Sequence, residues 1–221
     1  MQRAALFDVD GTLADTNHLH VTAWWEAFRQ AGHRVAMHDI HRALGLPSGD
    51  LIAHLLGEGR DTGRDDVISK AHKALYGTYS DRLPPQEKAG DLLRALADHG
   101  WTVVLVTSAG GAELTALRRA IDADDAISAT ASADDVERGK PAPDPVEHAL
   151  KLAGAPAERA VFVGDSRWDM EAATQAHVTC LGLLCGGISR AELEEAGASA
   201  VYEGPAALLE QLEGSPLAQL Q

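Results

Sequence analysis

Short apolar runs alternate with amphipathic segments along most of the chain. The runs have the length and the Gly, Pro and Asp boundaries typical of strands, and they cover residues 4–9, 102–107, 126–131, 160–164, 179–184 and 200–202. Helical spacing of apolar residues is found between them, over residues 86–99, 112–120, 144–153, 168–175, 190–196 and 205–213. Because strands separated by helices need crossover connections, the pattern predicts an α/β fold with a parallel sheet covered on both faces.

One stretch, residues 17–82, interrupts this alternation. It contains no convincing strand, and apolar residues recur at helical spacing at its start and again in residues 50–56 and 65–79. Two adjacent prolines then end the stretch sharply. We therefore expect a helical domain of residues 17–82, inserted into a core that is formed by residues 1–16 and 83–221.

The chain is acidic, with 33 Asp and Glu against 19 Lys and Arg and a formal net charge of -14. This charge disfavours nucleic acid and anionic membrane surfaces as partners, because both are bound by clustered Lys and Arg. No apolar stretch reaches the ~18 residues that a membrane span needs. The first residues lead directly into an apolar run without the features of a secretory signal, so we expect a cytoplasmic protein.

Three smaller expectations concern cysteines, the tail and assembly. Cys180 and Cys185 lie in an apolar run and are expected to be reduced and largely buried, with a disulfide as the minor alternative. The tail from Gly214 is expected to fray. A monomer is the default expectation.

Polar side chains follow several of the predicted strands, at the edge where a parallel sheet binds its ligands. They are Asp8 and Asp10 after the first strand, Thr107 and Ser108 after the second, Asp165 and Asp169 after the 160–164 run, and Lys140 before a helix. Taken singly, each has an ordinary alternative: the aspartates as helix caps or turn residues, the Thr-Ser pair as an N-cap, the lysine as a solvated surface residue. Together these groups are chemically complementary, and that combination favours phosphoryl transfer.

The first strand would supply the reacting groups. Asp8 would act as a carboxylate nucleophile that forms an aspartyl-phosphate. Asp10, two residues further on, would act as general acid on the leaving oxygen and then as general base on water. Gly11 allows the chain to turn sharply after them.

The other groups would hold the metal and the phosphate. Oxygen ligands from Asp8, the Asp10 carbonyl, Asp165 and Asp169 suit Mg²⁺, which prefers hard ligands and retains several waters. The phosphate oxygens would be bound by the Thr107 hydroxyl, by Ser108 and the neighbouring main-chain N–H groups, and by the positive charge of Lys140.

These motifs, in this order, resemble those of the haloacid dehalogenase (HAD) superfamily. The resemblance covers nearly the whole chain and is carried by Asp8-x-Asp-Gly-Thr-Leu, Thr107, Gly-Lys140-Pro-x-Pro and Gly-Asp165-Ser-x-x-Asp169. It implies a Rossmann-like core with a helical cap inserted after the first motif. The family roles that carry over are Asp8 as nucleophile, Asp10 as acid/base, Thr107 and Lys140 as phosphate ligands, and Asp165 and Asp169 as the metal site.

Within that superfamily, two branches remain for this chain. Asp10 and the acidic metal site disfavour the dehalogenase branch, which lacks that acid/base group and needs no metal. The segment that contains His20 and Trp24 resembles the start of the β-phosphoglucomutase-like branch, in which His20 would orient Asp10 or contact the substrate; the alternative is an ordinary polar residue at the junction of cap and core.

The cap loop separates the two branches. The mutases carry an arginine there that grips a second phosphate, and this chain has Gly49 at the corresponding place in the loop of residues 45–50. We therefore expect an Mg²⁺-dependent phosphatase that acts on a small phosphorylated metabolite, with a sugar-phosphate mutase as the alternative. Phosphoglycolate, sugar phosphates and nucleoside monophosphates all remain open as substrates.

Overall fold

A six-stranded parallel sheet forms the centre of the computed structural model, which describes residues 2–219. Its strands are β1 (Arg3–Phe7), β2 (Trp101–Val106), β3 (Ile127–Ala131), β4 (Ala160–Gly164), β5 (Thr179–Leu183) and β6 (Ala200–Tyr202). They lie in the order β3-β2-β1-β4-β5-β6. The strand order reverses between β1 and β4, which is where open α/β sheets bind ligands. The predicted α/β fold is confirmed.

Helices fill most of the chain between the strands. They are α1 (Asn17–Gln30), α2 (Met37–Ala43), α3 (Ser48–Leu56), α4 (Asp65–Gly77), α5 (Ala89–Asp98), α6 (Gly111–Ile121), α7 (Asp144–Ala153), α8 (Arg167–Gln175), α9 (Arg190–Glu195), α10 (Pro205–Glu210) and α11 (Pro216–Gln219). Helices α5, α6 and α10 cover one face of the sheet, and α7, α8 and α9 cover the other.

Strand side chains alternate between these two faces, as the twofold period of a strand requires. On β1, Ala5 and Phe7 belong to the apolar cluster under α5, whereas Ala4 and Leu6 belong to the cluster under α7 and α8. All four side chains are fully buried. Burial on both faces explains why β1 is a continuous apolar run rather than an alternating one.

Helices α1 to α4 have a hydrophobic cluster of their own. It is formed by residues of all four helices, among them Trp24, Phe28, Ile40, Ile52 and Ile68. No strand lies between α1 and α4, and all of these residues are described.

The two chain segments that connect these helices to the sheet run side by side. The Asp15 N–H donates to Pro84 O at 2.9 Å, and the Gln86 N–H donates to Leu13 O at 2.9 Å. The chain therefore enters and leaves the helical stretch at one place.

The tail differs from its expectation. Helix α11 follows Gly214, and both Ser215 and Leu217 are buried, Leu217 within the cluster under α5 and α10. The prediction that the chain frays from Gly214 is wrong for residues up to 219, because Leu217 finds an apolar contact.

The cysteines agree with their expectation. Cys180 and Cys185 are both free thiols; Cys180 is buried and Cys185 is partly buried. Among residues 2–219, none of the helices combines the length and apolar character needed to span a bilayer.

Candidate active site

Three carboxylates meet at the point where the strand order reverses. Asp8 follows β1, Asp165 follows β4, and Asp169 lies in the first turn of α8. One oxygen of each carboxylate lies within 4.8 Å of the others, and all three side chains are buried. The structure therefore brings together three of the acidic residues that the sequence singled out.

Lys140 reaches the same cluster from the loop before α7. Its Nζ lies 2.6 Å from Asp8 Oδ1 and 2.7 Å from Asp169 Oδ1, and it also donates to Val106 O at 3.2 Å. Only 4% of the residue is exposed. The alternative of a solvated surface lysine is excluded by this burial.

The charged groups of the cluster shift one another's pKa values. Burial raises the pKa of Asp8 well above its usual range, and repulsion from Asp169 adds to this, although Lys140 opposes both. Burial and repulsion from Asp169 likewise raise the pKa of Asp165. Burial disfavours the charged form of Lys140, but attraction to Asp169 and Asp8 outweighs it and raises the pKa of the ammonium. Three carboxylates thus share one compensating cation.

The turn after β1 holds Asp165 in place. Thr12 Oγ1 donates to Asp165 Oδ1 at 2.9 Å, and Asn17 Nδ2 donates to Asp165 Oδ2 at 2.8 Å. Gly11 has φ +81°, and a Cβ there would overlap Asp165 Oδ2. Glycine is therefore required at this position both by backbone conformation and by space.

A capping box at the start of α8 orients Asp169. The Ser166 hydroxyl donates to Asp169 Oδ2 at 2.6 Å, the Ser166 N–H donates to the same oxygen at 3.1 Å, and the Asp169 N–H donates back to Ser166 Oγ at 3.2 Å. These contacts occupy Oδ2 and turn Oδ1 toward Lys140. In the sequence, Ser166-x-x-Asp169 therefore has both a capping role and a place in the acidic cluster.

Asp10 faces a different set of partners. The Thr16 hydroxyl donates to Asp10 Oδ1 at 2.6 Å, and His20 Nε2 lies 3.2 Å from the same oxygen. Burial opposes ionisation of both Asp10 and His20, but their hydrogen bond and mutual attraction outweigh it, so the pKa of Asp10 is lowered and that of His20 is raised. His20 thus contacts Asp10, as one of its two interpretations expected.

His20 belongs to a group of four stacked rings on α1 and α4. The His20 ring stacks on Tyr76 with centroids 3.8 Å apart, and the Trp24 ring stacks on His72 with centroids 3.9 Å apart. His20 Nδ1 and His72 Nε2 are 3.1 Å apart. His20 and Trp24 stand out in the sequence, but their partners Tyr76 and His72 do not, because the contacts depend on how α1 and α4 pack.

Glu113 of α6 adds a third titratable group beside Asp10 and His20. Its Oε1 lies 3.8 Å from His20 Nε2, and burial raises its pKa. One ligand atom from each of Asp10, His20 and Glu113 lies within 4.8 Å of the others. Glu113 does not stand out in the sequence, because it lies in an ordinary helical pattern.

The predicted phosphate ligands after β2 lie at different depths. Thr107 is buried, and its Oγ1 accepts the Ala109 N–H at 3.0 Å, which leaves its own hydroxyl hydrogen free to be donated elsewhere. Ser108 is exposed and lines the cavity above the carboxylates.

A cavity of about 570 Å³ lies between the sheet edge and helices α1 to α4. Its floor includes Asp8, Asp10, Asp165 and Asp169, and its walls include the stacked rings of α1 and α4. Lys73 lines it, and no arginine of residues 2–219 does. The arginines near the cap loop are engaged elsewhere: Arg42 pairs with Glu192, and Arg60 pairs with Asp65 at 2.9 Å.

The donor set of the cluster fits a hard divalent cation. Asp8, Asp165 and Asp169 offer only carboxylate oxygens, and Asp169 Oδ1 is a buried atom without a well-aligned hydrogen bond despite its closeness to Lys140. Such an oxygen set suits Mg²⁺ rather than a softer metal. The side chain of Asp10 lies in the other group, so its predicted metal contact through the main-chain carbonyl stays a prediction.

Comparison with known proteins identifies the family. Residues 2–177 match the model of the haloacid dehalogenase-like hydrolases, and the chain belongs to that family. The predicted superfamily and the predicted hydrolase class are therefore confirmed.

Individual relatives cover most of the chain. The phosphoglycolate phosphatase of Photorhabdus laumondii is 28% identical in an alignment of 204 positions that covers 83% of this chain and 81% of that protein. The pyrophosphatase PpaX of Anoxybacillus flavithermus is 28% identical in an alignment of 186 positions that covers 80% of this chain and 81% of that protein. The crystal structure of a hydrolase from Pseudomonas syringae is 35% identical with a TM-score of 0.91, over 96% of this chain and 99% of that one.

Proposed function

We propose that this chain is an Mg²⁺-dependent phosphatase that hydrolyses a small phosphomonoester through an aspartyl-phosphate on Asp8. The observation that carries the proposal is the buried cluster of Asp8, Asp165 and Asp169 around the Lys140 ammonium, at the floor of a cavity large enough for a small metabolite. Family membership supports hydrolysis, and the names of two relatives support release of phosphate.

The reaction would take two steps. In the first, an Asp8 oxygen attacks phosphorus, the bond to the leaving oxygen breaks, and Asp10 gives that oxygen its proton. In the second, Asp10 takes a proton from water, the water oxygen attacks phosphorus, and inorganic phosphate leaves while Asp8 is restored. The lowered pKa of Asp10 favours its anion in the free enzyme, and the negative charge of a bound phosphoryl group opposes that anion and favours uptake of the proton.

Binding of the metal and of the phosphate would involve Asp8 again, together with residues that do not themselves react. Asp8, Asp165 and Asp169 would hold Mg²⁺, together with the Asp10 carbonyl, and the metal would neutralise charge between the carboxylates and the substrate. Lys140 would serve as the positive charge facing the phosphate oxygens.

Residues 17–82 would act as the cap domain over a core of residues 1–16 and 83–221. Helices α1 to α4 of this stretch form the roof of the cavity, so they would contact the leaving group and exclude water during the first step. Thr107 and Ser108 would bind the phosphate from the core side.

A sugar-phosphate mutase is less well supported. A bisphosphate intermediate needs a second clamp of positive charge, and no arginine lines the cavity among the described residues. Gly49, at the place of the mutase arginine, is exposed and does not line the cavity. Lys73 does line the cavity, and its single positive charge would suit a leaving group with one further negative charge.

The test is release of inorganic phosphate from a panel of phosphorylated metabolites, with Mg²⁺ and with excess chelator. We expect release that requires Mg²⁺ and is lost in Asp8→Asn, while the unfolding transition of that variant stays cooperative. Substantial turnover by Asp8→Asn would contradict the proposal. Conversion of hexose phosphates without phosphate release would instead favour the mutase.

A further inference from the structure

A second buried histidine lies directly behind His20, and the two steps above do not use it. His72 of α4 is only 5% exposed, and its Nε2 lies 3.1 Å from His20 Nδ1. His20 in turn contacts Asp10 with its other nitrogen. The three side chains therefore form a continuous chain from the cap helix α4 to the general acid/base.

Packing between α1 and α4 restrains both imidazole planes. His20 and Trp24 are one turn apart on α1, and His72 and Tyr76 are one turn apart on α4. The pairs cross-stack, with interplanar angles of 10° for His20 on Tyr76 and 9° for Trp24 on His72. Stacking restrains the tilt of a ring but not its rotation within its own plane. For His20, the contacts that oppose such rotation are those of its two nitrogens.

Those nitrogens have specific partners on opposite sides. Nε2 meets Asp10 Oδ1, and Nδ1 meets His72 Nε2. Without His72, the contact with Asp10 would be the remaining one of these two that opposes rotation of the His20 ring within its own plane. Glu113 Oε1, 3.8 Å from Nε2, would then compete for the same N–H.

The two carboxylate oxygens of Asp10 differ in their hydrogen-bond partners. Oδ1 accepts from Thr16 at 2.6 Å and contacts His20 at 3.2 Å. Within residues 2–219, no hydrogen bond reaches Oδ2. An aspartate that exchanges a proton with the substrate needs one oxygen held in place and one oxygen open, which is the arrangement observed.

We propose that His72 is a positioning residue: it holds the His20 ring against Asp10 Oδ1 and so keeps Asp10 Oδ2 aimed at the leaving oxygen. The inference rests on the proposed phosphatase function for its kinetic consequence. The contact between His72 and His20 stands independently of that function.

The surroundings of His72 suit this role. Burial, followed by the charges of His20 and Lys73, lowers the pKa of His72 to about 2, so the ring is neutral and adds no charge beside His20. A neutral imidazole can donate to or accept from His20 Nδ1, whichever protonation state His20 adopts. His72 Nδ1 is buried without a partner, which leaves Nε2 as the polar contact of this side chain within the described part of the chain.

Two substitutions separate the hydrogen bond from the packing. His72→Phe keeps a ring to stack on Trp24 but has no polar atom for His20 Nδ1. His72→Gln loses the ring, but its amide can place a donor or an acceptor near the Nε2 position. A purely structural role predicts that the phenylalanine variant is the better of the two, and a positioning role predicts the reverse order.

The kinetic assay compares the phosphorylated metabolite that wild-type protein hydrolyses fastest with p-nitrophenyl phosphate, whose leaving group needs less help from an acid. For His72→Phe we expect kcat/KM toward the metabolite to fall about 10- to 100-fold, within the range that misplacement of a catalytic group produces, and to fall less toward p-nitrophenyl phosphate. His72→Gln should recover most of the loss. Equal loss on both substrates, no loss in the phenylalanine variant, or no rescue by glutamine would each overturn the proposal.

A spectroscopic measurement tests the contact without turnover. The ring ¹⁵N signals of His20, assigned by comparison with His20→Gln, should shift at Nδ1 in His72→Phe and return toward the wild-type position in His72→Gln. An unchanged Nδ1 signal would refute the contact itself. If wild-type protein releases no phosphate from any substrate, the proposed function fails while this measurement still decides the role of His72. If His72→Phe does not fold, His72→Met, which is also apolar and of similar size, takes its place in both assays.

Discussion

Removal of the Lys140 ammonium is the perturbation whose effect follows most directly from the geometry. The side chain is 4% exposed and lies 2.6 Å from Asp8 and 2.7 Å from Asp169, so solvent screens these charges much less than it screens an exposed pair. Lys140→Met keeps most of the apolar stem and removes the charge. It leaves the carboxylates of Asp8, Asp165 and Asp169 facing one another without a compensating cation.

The expected destabilisation of Lys140→Met is estimated from the cost of breaking a buried ion pair. Removing one partner of such a pair destabilises a protein by about 3–5 kcal/mol. For a chain of this length each kcal/mol corresponds to roughly 2–4 °C in the unfolding temperature, so we expect a decrease of about 6–20 °C. The matched control is Lys88→Met, because the Lys88–Asp91 pair at 2.9 Å is exposed and should change little.

The loss of stability in Lys140→Met should depend on pH and on Mg²⁺. Burial and Asp169 raise the pKa of Asp8 above the ordinary value of 3.8, so the folded state binds this proton more tightly than the unfolded state does. Stability therefore falls as the pH rises from the ordinary value toward the raised one. Without Lys140, which opposes the rise in this pKa, the fall should extend to higher pH and become larger in total. Mg²⁺ bound at the proposed site would supply the missing positive charge, so saturating Mg²⁺ should restore part of the lost stability.

The assay is urea unfolding of wild type, Lys140→Met and Lys88→Met at pH 8 and pH 5, each with Mg²⁺ and with excess chelator. We expect Lys140→Met to lose the most free energy of unfolding, relative to wild type, in chelator at pH 8. The loss should be smaller in chelator at pH 5, and it should also be smaller when Mg²⁺ is present. A Lys140→Met protein as stable as Lys88→Met in chelator at pH 8 would refute the electrostatic account of the site.

Two further predictions concern turnover. Asp10→Asn should lower kcat by about 10²- to 10⁴-fold, the usual contribution of general acid–base catalysis. The Mg²⁺ concentration for half-maximal activity should stay unchanged, because the main-chain carbonyl of residue 10 remains. A large shift in that concentration would argue against the carbonyl as a metal ligand. Lys73→Met should lower kcat/KM by about two- to fivefold for any substrate whose leaving group carries a negative charge, as expected of an exposed charge pair, and should spare p-nitrophenyl phosphate. Lys70→Met, on the solvent side of the same helix and paired with Asp66, should alter neither substrate, and equal effects of the two lysine variants would contradict a role for Lys73 in the cavity.

The core of the site was predictable because it depends on local pattern and on one topological rule. Asp8 and Asp165 directly follow buried apolar runs, and the carboxyl ends of parallel strands meet at one edge of a sheet. Strand ends were less well predicted: residues 4–9 were expected to be one strand, but β1 ends at Phe7, where the chain begins the turn that carries Asp8 and Gly11.

The partners of Asp10 were only half predictable. His20 stood out because it lies one turn from Trp24 close to the first motif. His72 and Glu113 come from distant helices, and nothing in the spacing of α4 or α6 indicates which face meets His20. Helix α2 was missed for a related reason: its seven residues include only Ile40 and Ala43 as buried positions, too few for a visible period.

Phosphorylation of Asp8 during turnover is tested most directly by rapid acid quench followed by peptide mass spectrometry. Wild-type protein mixed with Mg²⁺ and the phosphorylated metabolite that it hydrolyses fastest should carry one phosphoryl group on the peptide that contains Asp8, and treatment with hydroxylamine should remove it. The label should be absent without Mg²⁺ and in Asp8→Asn. Steady release of phosphate with no label on Asp8 at any quench time, or with label on another residue, would contradict the account.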